Sequence, residues 1–298
     1  MNDSVKTLRE NIDAVDDQIH DLLMKRADLV LEIGKEKRKR KEQIISPARE
    51  ARVIRRLLDR HKGPLQKAAM VRIWRELVGA VSLLQTDMRV ALFSTGPHAQ
   101  EYADMARDYF GSVIPMHHVA NPMMAISMVR DGEANFAVVP WPEDEAENPW
   151  WSYLVGNDAG TEAIRIMGRL PYGGWGKGRG NPEFRALVIA RLAFNDSGKD
   201  HSFLLLDLDQ MVSRARVVDK MKALGITALS INSRRVRGLI ERSLHLFEVD
   251  SYISPDDPRL QQLLEKLENP EGRCIVVGGY PVLPLLGENT QAPGRKSA

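Results

Sequence analysis

The sequence predicts a multidomain α plus α/β protein, and three observations predict it. Leu8, Ile12, Val15, Ile19, Leu22, Leu23, Leu29, Val30 and Ile33 recur at three- and four-residue steps, with no proline before Pro47, which marks one long helix. From Arg89 onward, short apolar runs alternate with stretches of helical spacing, the pattern of a small, mostly parallel sheet. Beyond residue 199 the order becomes strand, helix, strand, strand, helix, strand, the ferredoxin-like arrangement. The expected division is an all-helical segment over 1–88, an α/β lobe over 89–198, a βαββαβ unit over 199–286 and a disordered tail over 287–298.

Each element has its own signal. The first helix spans about residues 4–41 and would be roughly 55 Å long at 1.5 Å per residue. A helix of that length needs a partner chain or two further helices beside it. Ser46 and Pro47 open a second helix that runs to Arg60, Pro47 sitting where a missing N–H costs nothing. His61–Pro64 break it. A third helix over 65–86 carries Met70, Ile73, Trp74, Leu77, Val78, Val81 and Leu84 on its apolar side. Strands are expected at 89–97, 112–118 and 134–140, with helices at 98–109 and 121–131 between them. The last unit places strands at 201–209, 226–235, 244–253 and 273–282, and helices at 212–224 and 258–268. The Gly-rich stretch 172–182 reads as a loop, and Trp150 and Trp151 as an interface pair.

Composition narrows the function. With 298 residues, 43% hydrophobic and 28% charged, the chain has enough apolar content for real cores. Its single cysteine, Cys274, excludes a disulfide framework, and no Cys/His spacing suits zinc. The polar start and the absence of any run of 18 apolar residues argue against a signal peptide or a membrane span, so a cytoplasmic protein is expected. Residues 1–88 hold 19 Lys and Arg against 14 Asp and Glu, whereas the remainder holds 23 against 26. That basic N-terminal segment points to an anionic partner. The run Lys35–Lys41 lacks neighbouring aromatics for base stacking and reads as a solvated helix end, so no nucleic acid is expected.

Ionisable groups on the long helix suggest where that anion goes. Arg26 and Lys37 lie three turns apart and project in one direction, whereas Arg9 lies about 25 Å from Arg26 along the axis. Arg9 therefore reaches the same site only if a second, antiparallel chain supplies it. Arg49 and Glu50 open the second helix, and Gln85 ends the third.

The segments 8–37 (LRENIDAVDDQIHDLLMKRADLVLEIGKEK), 46–54 (SPAREARVI) and 72–85 (RIWRELVGAVSLLQ) together resemble the all-helical class of chorismate mutases. The resemblance implies an interlaced homodimer that rearranges chorismate to prephenate without cofactor, metal or covalent intermediate. It implies that Arg26 and Arg49 of one chain and Arg9 of the other hold the two carboxylates. It also implies that Lys37 and Gln85 bond the ether oxygen where negative charge grows, and that Glu50 accepts a bond from the ring hydroxyl. Ser46 stands where the family commonly has Asp, and Val81 where it often has a small polar residue; weaker binding is expected from both. Gln85 in place of Glu predicts activity that is flat near neutral pH. An isochorismate-pyruvate lyase on the same helices, and a catalytically silent regulatory or binding protein, are the alternatives.

The remainder is similar, more distantly, to the prephenate dehydratase and ACT regions that follow such a mutase in phenylalanine synthesis. Residues 131–140 (DGEANFAVVP) and 230–235 (SINSRR) carry that likeness. The dehydratase V-V-P-I-E-N-S reads VVPWPED over 138–144, its Thr-Arg-Phe signature is missing, and residues 212–215 do not reproduce the ACT effector loop G-A-L-V. About 100 residues leave no room for both dehydratase lobes. This half is therefore expected to be non-catalytic.

Overall fold

The structure is a computed structural model, and it describes residues 2–144, 149–156, 163–174, 184–236, 242–284 and 286. The predicted tail 287–298 and most of the Gly-rich stretch 172–182 lie outside the described residues.

Three helices come first: α1 (Asn2–Lys39), α2 (Pro47–Arg60) and α3 (Lys67–Gln85). The Ser46 side chain accepts from Arg49 N and caps α2, and Pro47 opens it. α1 is not wrapped by its neighbours. Only its last third meets α3, and Leu8, Ile12 and Leu22 are 61%, 58% and 66% exposed. The stripe read from the sequence is thus real as a pattern and bare in the single chain.

Helix α3 differs from its prediction in the face it buries. Ile73 and Leu84 are exposed, while Met70, Val71, Arg75, Gly79 and Val81 are buried. The reason is close packing on α4 (Ala99–Phe110): a Cβ on Gly79 would lie 2.0 Å from the Phe110 carbonyl oxygen. Only glycine admits that approach.

Among the described residues, the rest is built on one nine-stranded sheet. Its strands are β1 (Val90–Phe93), β2 (Met116–Val119), β3 (Phe136–Pro140), β4 (Arg165–Leu170), β5 (Ala186–Ala190), β6 (Asp200–Asp209), β7 (Ala228–Val236), β8 (Arg242–Val249) and β9 (Arg273–Pro281), with α5 (Pro122–Arg130), α6 (Arg214–Ala223) and α7 (Pro258–Lys266) packed on it. The order across the sheet is β2-β1-β3-β5-β4-β9-β6-β8-β7. The β1, β2 and β3 strands are parallel, as expected. β4 and β5, which the sequence reading left unassigned, add antiparallel pairs. The βαββαβ unit has its four strands in the order β9-β6-β8-β7, all antiparallel.

The boundary expected at 198/199 falls between β5 and β6, yet the sheet runs through it by the pairing of Ile166 on β4 with Gly278 on β9. Gly278 has φ +107° and a Cβ there would meet the Ile166 oxygen at 2.1 Å, so the junction depends on a residue without a side chain. One continuous core crosses the junction, from Ala91, Val139 and Ile189 to Phe203, Leu246 and Tyr280. Strand alternation sorts neighbours to opposite faces: Ala91 enters that core, Val90 and Leu92 enter the one under α4. Trp150 and Trp151 lie inside the shared core, on a 3-10 turn, with Trp150 Nε1 donating to Pro140 O at 3.0 Å. They tie together the two halves of one sheet.

Candidate functional site

The helical segment gathers most of the predicted residues around the C-terminal third of α1. Arg26 is half-buried; burial lowers its pKa, and the nearby Glu50 carboxylate opposes that shift. The α3 terminus closes one side, where Gln85 Nε2 donates to the Val30 carbonyl at 2.6 Å. Gly34 makes room for it: a Cβ there would lie 2.6 Å from that nitrogen. Lys37 Nζ donates to Gln43 O and Ile44 O, both at 3.0 Å, on the connection between α1 and α2. An ammonium has three donors, so one remains for another acceptor.

Glu50 sits one turn into α2 and is held from behind. Arg75 Nη1 donates to its Oε2 at 2.7 Å, and Arg75 Nε donates to the Tyr109 carbonyl. The Arg75 guanidinium also lies 4.2 Å from the centre of the Tyr109 ring and 5.2 Å from that of Tyr172. Burial pulls the Arg75 pKa down, but Glu50 and the two tyrosines outweigh it and the net direction is up. Burial likewise pushes the Tyr109 hydroxyl up to about 12. Among the described residues Glu50 Oε1 has no protein partner.

Two predicted residues stand apart. Arg49 points from the exposed side of α2, its backbone N–H serving the Ser46 cap. Arg9 is exposed about one fifth of the way along α1 from its N-terminus, far from Arg26 along one straight helix. Within one chain Arg26 lies near Glu50, Gln85 and Lys37 lie farther along α1, and Arg9 and Arg49 stand outside.

Sequence reasoning missed Arg75. Its signal was present: Val71, Arg75 and Gly79 follow at four-residue steps, so a guanidinium shares a face with an apolar and a small residue. Reading Ile73 and Leu84 as the buried side concealed it.

Comparisons with known proteins bear on this segment directly. Residues 8–86 match the family chorismate mutase type II. A bifunctional chorismate mutase/prephenate dehydratase of Stutzerimonas stutzeri is 34% identical over 147 residues, covering 46% of this chain and 39% of the relative. One from Pseudomonas aeruginosa is 29% identical over 147 residues, with the same coverage. The aligned region thus spans about two fifths of the length of these relatives. Among solved structures, a prephenate dehydratase from Streptococcus mutans covers 66% of this chain and all of its own at 17% identity, with a TM-score of 0.46. The likeness to the chorismate mutase type II family thus falls on the helical N-terminal segment of this chain, residues 8–86.

Proposed function

We propose that the protein is a chorismate mutase that rearranges chorismate to prephenate in the making of aromatic amino acids, working as a homodimer with a site shared between chains. The observation that carries this reading is the family match over residues 8–86, supported by Arg26 beside Glu50 and by the Gln85 amide held against α1. Chorismate carries two carboxylates. Arg26 and Arg49, with Arg9 from a second copy, would fix them by charge-assisted bonds and hold the compact reactive conformer. As the C–O bond lengthens, the ether oxygen gains negative charge, and the remaining Lys37 N–H and the Gln85 amide would meet it. Glu50 Oε1 would accept from the ring hydroxyl while Arg75 keeps Oε2. No proton moves between protein and substrate, so positioning and charge do all of the work.

The bare α1 stripe supports the dimer. Leu8, Ile12, Val15, Ile19 and Leu22 repeat over the first two thirds of the helix, and an antiparallel second copy would cover them while carrying its Arg9 toward Arg26. In this reading the α/β half is non-catalytic and cytoplasmic with the rest, its βαββαβ part ACT-like; the VVPWPED and SINSRR sequences support that.

The test is consumption of chorismate against isochorismate by the full chain, with product identified as prephenate. Loss of isochorismate with release of pyruvate would establish the lyase instead, and inertness toward both would establish a silent binding protein. Arg9→Ala and Arg26→Ala chains should each be inactive alone, and should regain up to about a quarter of parental activity when refolded together, by random assortment of halves. No recovery from the mixture would rule out a site built from two chains.

A further inference from the structure

Helix α2 carries a second concentration of positive charge that the chorismate reading does not use. Arg52, Arg56 and Arg60 follow at four-residue steps, so their side chains stand in file on one side of the helix. Like charges at that spacing repel by a few tenths of a kcal/mol per pair. Facing them is the loop between β5 and β6, which brings Lys199 to the opposite wall of an open cleft of about 620 Å³. Among the described residues Asp59 is the only acidic one lining it, and all four cations are exposed. Among the described residues, none of Arg52, Arg56, Arg60 or Lys199 has a side-chain hydrogen-bond or ion-pair partner.

The cleft is built, and Arg55 builds it. Its Nε donates to Val282 O at 3.1 Å, its Nη1 to Ser197 O at 2.7 Å, and its Nη2 to Ser197 Oγ at 2.9 Å and Lys199 O at 2.6 Å. Its two terminal nitrogens hold the loop against α2, and its Nε holds the chain just past the end of β9. The loop is tied again on its own side: Ser197 N and Oγ donate to the Asp200 carboxylate at 2.8 and 2.6 Å, and Gly198 N donates to Asp196 Oδ1 at 2.7 Å. The loop backbone that carries Lys199 is therefore held against α2 before any ligand arrives, which lowers the ordering cost of binding. The cleft is shallow and open to solvent, so a ligand there would be held by charge and not by enclosure.

We propose that this cleft binds a small anion bearing at least two negative charges on phosphate or carboxylate groups, held by Arg52, Arg56, Arg60 and Lys199 on the framework set by Arg55. Guanidinium forks match both oxyanion types in bidentate geometry, and two opposed walls of cations favour a ligand charged at both ends. Because one wall belongs to the helical segment and the other to the α/β half, the bound anion would bridge them. The inference stands whether or not chorismate is the substrate of the first site.

Calorimetric titration of the full chain with inorganic pyrophosphate and, separately, with citrate tests it, at ~150 mM potassium chloride so that diffuse attraction is screened. One anion bound per chain is expected for at least one of the two, and which of them binds identifies the oxyanion. Affinity should fall about tenfold or more in Arg56→Ala/Arg60→Ala, and to a smaller degree in Lys199→Ala, which leaves α2 untouched if the double variant fails to fold. Turnover of chorismate without added anion should be unchanged in both. Absence of binding by the parent, or equal binding by parent and Lys199→Ala, would overturn the proposal. So would binding confined to a single-stranded DNA oligonucleotide. Conversion of the variants to monomers with no anion bound by the parent would place the acidic flank of a second copy, around Asp13, Asp16 and Asp17, in the cleft and overturn it as well.

Discussion

Arg75 donates to Glu50 at 2.7 Å from a position only 3% exposed, and through its bond to the Tyr109 carbonyl it joins the residue expected to meet the substrate hydroxyl to α4. The pair is completed by Tyr109 and Tyr172, both of which belong to the α/β half. Glu50 thus owes its position to residues beyond the helical segment. Removing one partner of a buried pair costs about 3–5 kcal/mol, because the other charge stays behind unpaired. Arg75→Met should lower the unfolding free energy by the smaller of these amounts, since Glu50 retains some solvent access. Urea unfolding of Arg75→Met, Glu50→Gln and the double variant would measure it, and additive losses would show that the two side chains do not act together.

Gly79→Ala sets two effects against each other. Alanine is the better helix former by about 1 kcal/mol. Against that, the added carbon would sit 2.0 Å from a backbone oxygen that cannot rotate away. Overpacking of this kind costs about 1–3 kcal/mol, so net destabilisation is expected, with α3 and α4 pushed apart. A raised melting temperature for Gly79→Ala would contradict the close approach.

Gln85 offers a charge test of the mutase reading. A Gln85→Glu chain would present an ionised carboxylate to the developing ether anion at neutral pH, and a donor only once protonated. Its activity at pH 7.5 should fall roughly 10²-fold, the cost of losing one such donor, and recover toward pH 5, while the parent stays flat. Parallel profiles for the two proteins would place Gln85 away from the reacting oxygen.

A pH dependence of stability arises far from that site. His245 on β8 receives a 2.7 Å bond between its Nδ1 and Ser233 Oγ, and its Nε2 is buried without a partner. Burial lowers its pKa from 6.5 to about 4, with Arg214 adding to the shift and Asp144 opposing it. The folded state therefore binds the proton less readily than the unfolded chain does. Stability from this group is complete above pH 6.5 and is lost as pH falls toward 4, by about 3 kcal/mol at most. His245→Gln should flatten the fall in melting temperature between pH 7 and 4.5; an unchanged slope would mean that other groups govern it.

Much of the fold was legible because the signals were local. Ser46, Pro47 and the apolar spacing of Val53, Ile54, Leu57 and Leu58 mark α2 without reference to anything distant, and the α2 bounds agree. The strand β5, ALVIA, was passed over because a run buried on both faces shows no alternation to read. The face of α3 was misjudged for a different reason: Gly79 gains its meaning only from the Phe110 carbonyl, a contact between residues 31 positions apart. At the candidate site, spacing alone related Arg26 to Lys37, and the family likeness added Glu50 and Gln85. Arg75 escaped both, since its role depends on Tyr109 and Tyr172, which no helical periodicity connects to it.

The position of β9 has a consequence for how the chain is made. Residues 273–281 are the last strand described, yet they lie near the middle of the sheet, between β4 and β6. A ribosome must deliver the other eight described strands before the central slot is filled, and until then two open edges wait for a tenant that has not been synthesised. Such late, long-range closure is slow and exposes unpaired backbone to neighbouring nascent chains. Assembly of this half thus awaits its last described strand, and premature termination just before Arg273 would leave two half-sheets with nothing to join them.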